Sequence, residues 1–140
     1  MKVGDYIRYK NCIMKTIFIA KIIEIKAADN VIKEECYLLD NKDAALKKHV
    51  IGQPSCNSID LIQVGDYVNG YKVLEICEGN FEINNPLNVK ALKLEFVKED
   101  INPNIPFFKR YNFILNEDIK SIVTKEQFEQ MEYKIEIKVN

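Results

Sequence analysis

The one histidine of this 140-residue chain, His49, and its four cysteines, Cys12, Cys36, Cys56 and Cys77, are the residues that could supply a thiol–imidazole nucleophile or a soft metal site. A zinc site announces itself by ligands paired at short spacing, and no Cys-x-x-Cys is present. A Cys–His nucleophile would have to use His49. That residue follows Lys47 and Lys48 at the end of a stretch of good helix formers, so it reads as a solvated surface histidine. In a reducing cytosol the cysteines read as small, partly buried thiols, some on strands. Asp5 and Asp66 could be imagined as paired carboxylates, but each recurs at the same place in a repeat and reads as a turn cap. Glu99-Asp100 and Glu117-Asp118 read as loop charges. The glycines are isolated in turns and build no phosphate cradle, and no Gly-x-Ser-x-Gly is present. The chain is expected to be non-enzymatic, with no metal and no cofactor.

Binding chemistry has a better candidate. Phe107-Phe108-Lys109-Arg110-Tyr111 closes a stretch that begins at Asn102. Two adjacent phenylalanines cannot both face one side of a strand, so either one is exposed beside the cations or one enters the core while the other lies under the loop. Aromatic residues with arginine make interface anchors and base-stacking platforms. Tyr6, Arg8, Tyr67 and Tyr71 form a second group, with burial as sheet aromatics as their other reading.

The elements that position these residues come from a repeat. Val3-Gly-Asp-Tyr-Ile7 and Ala20-Lys-Ile-Ile-Glu-Ile25 are answered by Val64-Gly-Asp-Tyr-Val68 and Tyr71-Lys-Val-Leu-Glu-Ile76. Glycine tolerates positive φ and aspartate bonds nearby backbone N–H groups, so each Gly-Asp reads as a bend launching a strand. Asn69-Gly70 is a two-residue hairpin signal. The offset between the copies is 61 residues at Val3/Val64 but 51 at Lys21/Lys72, so the first hairpin carries ten extra residues, Asn11 to about Ile19. Loop length is cheap in closure entropy. A long first hairpin followed by tight ones is the pattern of small SH3-like barrels. The expected fold is mainly β: two SH3-like units in tandem, residues 1–57 and 58–140, with a loop over 98–106 and a short helix over 124–132.

Local signals fill in the rest. Asp40–His49 predicts a short helix, and the turn-rich Gly52–Ser58 predicts the linker between units. Strands are predicted at about Tyr71–Cys77, Phe81–Asn84 and Val89–Val97. Thr124-Lys-Glu-Gln127 has the form of a capping box with Val123 and Phe128 as its hydrophobic staple, and Phe128 and Met131 share the face expected to be apolar. Glu132–Val139 alternates as a closing strand.

Composition narrows the partners. Twenty basic and 21 acidic residues leave a net charge of −1, too balanced for non-specific binding along phosphate backbones. Abundant Lys, Ile and Asn are the residues of AT-rich codons and imply a low-GC bacterium or its phages. The strand pattern starts at the N-terminus without a leader, and no apolar run reaches membrane-span length, so a cytoplasmic protein without a membrane partner is expected.

Ile59-Asp-Leu-Ile-Gln-Val-Gly-Asp-Tyr-Val-Asn-Gly-Tyr-Lys-Val73 and Asp118-Ile-Lys-Ser-Ile-Val-Thr-Lys-Glu-Gln-Phe-Glu-Gln-Met-Glu-Tyr-Lys-Ile135 resemble a group of small phage and prophage proteins of clostridia and related bacteria. The resemblance implies a mobile-element accessory protein and transfers no functional residues. In that context the leading expectation is a protein that binds and neutralises a host protein by occlusion, such as an anti-CRISPR or other anti-defence inhibitor. The alternatives are a module that captures a nucleotide or single-stranded nucleic acid, and a phage structural or assembly protein.

Overall fold

Gly4 and Gly65 both sit at φ +97°, a backbone conformation open to glycine and strained for any residue with a Cβ. In the computed structural model of the chain, which describes residues 1–31, 33–79, 89–95 and 113–131, these two bends start two five-stranded antiparallel sheets. The chain divides into two units, residues 1–61 with 126–140, and residues 62–125.

In the first unit, β1 (Tyr6–Lys10), β2 (Ile17–Lys26), β3 (Cys36–Leu39) and β4 (Ala44–Leu46) form a meander, and β5 (Val50–Ser55) returns to pair with β1. In the second unit, β6 (Tyr67–Val68), β7 (Tyr71–Gly79), β8 (Val89–Leu94) and β9 (Phe113–Ile114) form the same meander, and β10 (Ile122–Val123) returns to β6. A single 3₁₀ turn precedes the returning strand in each, Lys47–His49 and Asn116–Asp118. Among the described residues both sheets are open, their end strands β4 and β5, or β9 and β10, having one neighbour each.

The repeat extends to individual hydrogen bonds. Gly4 N–H donates to Ile22 O and Gly65 N–H to Val73 O, each at 2.9 Å. Ile22 N–H donates to Asp5 O at 2.8 Å and Val73 N–H to Asp66 O at 2.7 Å. The bulge at Ile22/Glu24 in β2 recurs at Val73/Glu75 in β7. A bulge bends its strand and raises the local twist, which lets one long strand serve two parts of a curved sheet. The aspartates close these bends backwards: Asp5 Oδ2 accepts Lys2 N–H at 3.1 Å, and Asp66 Oδ2 accepts Gln63 N–H at 2.8 Å.

Each sheet buries its own apolar face. Ile7, Tyr9, Ala20, Ile22, Tyr37, Leu39 and Ala45 make the first core, with Phe18 stacked on Tyr9 at 5.9 Å. Val68, Val73, Ala91, Leu92, Leu94, Ile114 and Leu115 are buried in the second unit. Ile7 and Val68, and Ile22 and Val73, are matched positions.

Four expectations change. The stretch Asp40–His49 is not a helix: Ala44–Leu46 is a strand, since Ala45 pairs with Tyr37 and is buried there, and only Lys47–His49 turns. Gly52–Ser58 is not a linker, because its first part belongs to β5 and pairs Ser55 with Tyr6. Pro54 is tolerated because, among the described residues, β5 ends the sheet and has β1 as its one neighbour. The extra residues of the first hairpin, Asn11 to about Ile19, are only partly loop, for β2 already begins at Ile17. A helix, α1, runs over residues 125–131 directly after the fully buried Thr124. Phe128 is half-buried there, while Met131, expected on the packed face, is exposed. The strands expected at Phe81–Asn84 and Glu132–Val139, the end of that at Val89–Val97, and the 98–106 loop lie outside the described residues.

Candidate functional site

The tip of the first hairpin is built by Asn11. Its Oδ1 accepts the N–H groups of Ile13 and Met14, each at 2.8 Å, and its own N–H donates to Thr16 O at 2.8 Å. Lys15 takes φ +55° to complete the turn. Asn11 Nδ2 donates to Asp43 Oδ2 at 2.6 Å, and the buried Tyr9 hydroxyl donates to the same oxygen at 2.7 Å. Asn41 Nδ2 donates to the Tyr9 oxygen at 2.8 Å. This network holds the hairpin to the β3–β4 turn. Burial, then the neighbouring Asp43, pushes the Tyr9 phenol well above its ordinary range and keeps it a donor.

The fixed hairpin presents Cys12, Ile13 and Met14 to solvent, with Ile13 91% exposed. β1 and β5 run antiparallel with Tyr9 opposite Val50, so the residue before Val50 comes alongside the residues after Lys10. That register carries His49 to Cys12. The sulfur lies 3.3 Å from His49 Nε2 and 3.5 Å from Nδ1. Near-equal distances to both nitrogens mean that the sulfur is not aligned with one of them. His49 is thus not the freely solvated helix-end residue expected from its neighbours, although the chain has no local sequence signal that joins positions 12 and 49.

The other expected site residues separate. Arg8 is 3% exposed: Nη1 donates to Leu61 O and Nη2 pairs with Glu126 Oε2, both at 3.2 Å. Its cation serves the inside of its own unit and is out of reach of a partner. Tyr6 is half-buried under Lys21, whose Nζ lies 5.9 Å from the ring centroid, and Tyr67 is half-buried opposite Lys72 in the matching register. Tyr71 is half-buried at the start of β7. Phe107, Phe108, Lys109, Arg110 and Tyr111 lie outside the described residues.

One surface feature escaped the sequence reading. Val3 and Ile23 are 58% and 55% exposed, and their counterparts Val64 and Leu74 are 53% and 45% exposed. In each unit the pair flanks the Gly-Asp bend and the bulge. Alternation alone hides such positions, because the bulge turns a side chain out of the face that the period-two pattern assigns to it.

All four cysteines are free thiols, Cys12 and Cys56 exposed and the other two half-buried. Burial, then a bond with Glu75, raises the Cys77 thiol. Among the described residues no group of three or more His, Cys, Asp or Glu is placed to hold a metal ion, and no helix is long and apolar enough to cross a membrane. Compared with protein-family models, curated proteins and solved structures, the chain matches none.

Proposed function

We propose that this chain is a non-enzymatic binding protein of phage or prophage origin that works in the host bacterial cytoplasm by occluding a surface of a host protein, such as a defence component. The observation that carries this reading is the recurrence of an exposed apolar pair, Val3/Ile23 and Val64/Leu74, at matched positions of the two units. Apolar side chains scattered singly on a surface need no explanation. Apolar pairs kept exposed twice, beside the same bend, fit recognition of another protein's apolar surface. The two units are SH3-like in this reading. A four-strand meander, a fifth strand returning to the first, a 3₁₀ turn before that strand and a long first hairpin in the first unit all support it.

The test is affinity capture from a low-GC host lysate. It compares the wild-type chain, a Val3→Ser/Ile23→Thr/Val64→Ser/Leu74→Thr variant and a Phe107→Ala/Phe108→Ala/Arg110→Ala variant, with melting temperatures taken in parallel. Loss of one specific protein by the first variant, with folding intact, supports the apolar pairs as the occluding surface. Loss only by the second assigns recognition to the aromatic run. Retention of nucleotides or nucleic acid in place of protein would overturn occlusion in favour of ligand capture.

A further inference from the structure

We propose that Cys12 and His49 form a thiol-exchange site, at which an anionic low-molecular-weight disulfide modifies the exposed tip of the first hairpin. The thiolate is the nucleophile in such exchange, and a neighbouring base that takes the thiol proton promotes attack. His49 is the chain's one histidine, and its imidazole lies 3.3 Å from an exposed sulfur. The Asn11 network and the pairing of β1 with β5 hold the two side chains together, so the juxtaposition is part of the fold.

The step balances as follows. The Cys12 thiol gives its proton to His49, and Sγ attacks one sulfur of the small disulfide. A new Sγ–S bond forms, the original S–S bond breaks, and its electron pair leaves on the departing thiolate, which takes the proton back from His49. Cys12 is oxidised to the mixed disulfide, and the small molecule's other half is reduced to a thiol. Charge selects the reagent. Lys10, Lys15, Lys47 and Lys48 are exposed around the pair in the chain, against Asp43, which is engaged by Tyr9 and Asn11. The adduct would place a charged group beside Ile13 and Met14 and change what that tip can touch.

Cys56 is an internal control, since it is also exposed and the only imidazole is at Cys12. The full chain would be treated with dithiobis-nitrobenzoate, an anionic disulfide, and with neutral hydroxyethyl disulfide. Modification at each cysteine would be followed by peptide mass spectrometry. Expected is a rate at Cys12 about tenfold above Cys56 at pH 7 with the anionic reagent. The ratio should be smaller with the neutral reagent, and His49→Gln should lower the rate at Cys12 alone. Equal rates at the two cysteines, or no effect of His49→Gln, would overturn the proposal. Should His49→Gln disturb the fold by circular dichroism, the wild-type pH profile decides. Solvent ionises exposed thiols on its own at high pH. An imidazole-dependent advantage therefore narrows towards pH 9.5, whereas one that stays constant reflects access alone and rules out the role of His49.

Discussion

The Tyr9 hydroxyl donates to Asp43 Oδ2 at 2.7 Å, joining the first strand's core face to the turn between β3 and β4. Because burial raises this phenol well above its ordinary 10.0, the folded chain holds a proton that the unfolded chain releases in base. The stabilisation is complete below about pH 10 and is lost as pH rises further. Tyr37 acts in the same direction, pushed up to about 12 by burial and by its bond to Glu35. The wild-type melting temperature should fall above pH 10, and Tyr9→Phe/Tyr37→Phe should flatten that fall. At pH 7, Tyr9→Phe should cost about 1 to 2 kcal/mol, because Asn41 and Asp43 each lose a partner.

Arg8 and Glu126 give a second prediction. The guanidinium is buried while the carboxylate is partly exposed, with relative accessibilities of 3% and 29%. Removing the carboxylate takes one anionic partner from a buried cation, and solvent reaching the Glu126 side moderates the loss. Glu126→Ala should cost about 1 to 2 kcal/mol, and Arg8→Ala more, since it also removes the bond to Leu61 O and the packing of the side-chain stem. Urea unfolding should show a lower midpoint at an unchanged slope.

The matched aspartates should respond unequally to an isosteric change. Asp66 is fully buried and uses both oxygens, Oδ2 for Gln63 N–H and Oδ1 for Lys125 N–H at 2.9 Å. An asparagine has one acceptor oxygen, so its amide would face one of those N–H donors. Asp66→Asn should cost about 2 kcal/mol. Asp5 accepts Lys2 N–H through Oδ2 alone in the corresponding bend, and an asparagine oxygen can take that place, so Asp5→Asn should cost under about 1 kcal/mol. Thermal melts of the two single variants test the asymmetry.

Thr16 carries the one buried side-chain oxygen or nitrogen without a partner among the described residues. A buried hydroxyl left unbonded loses its hydration without return. Thr16→Val keeps the shape and removes that cost, and should raise stability by about 1 kcal/mol. A fall of similar size would show that the hydroxyl is bonded in solution.

How far the sequence could be read depended on whether the signal was local. The Gly-Asp bends and the Asn69-Gly70 hairpin were legible because each needs a particular backbone conformation, and both Asn69 and Gly70 adopt positive φ. The repeat was legible because the same bends demand the same residues twice. Ala44-Ala45-Leu46 misled because helix propensity is a weak preference, overridden once Ala45 finds a buried place beside Tyr37. Gly52 and Pro54 concealed β5 because an edge strand tolerates the residues that break a central one. The Cys12–His49 contact joins residues 37 positions apart through the β1–β5 register, and no spacing rule encodes it.

Asn69 has a consequence for the chemical ageing of the protein. Its Oδ1 accepts Lys120 N–H at 2.7 Å and Ser121 N–H at 3.1 Å, and its Nδ2 donates to Asp118 O at 2.9 Å. Asparagine before glycine is the pair most open to deamidation, in which the next backbone nitrogen attacks the side-chain carbonyl and ammonia leaves. Here that carbonyl is held by two N–H donors, and the leaving nitrogen is tethered to a backbone oxygen. The hydrogen bonds that clamp β10 beside the second hairpin therefore also protect the bond whose loss would replace an amide donor with a carboxylate facing Asp118 O. Folded chains should keep Asn69 intact long after unfolded ones have lost it.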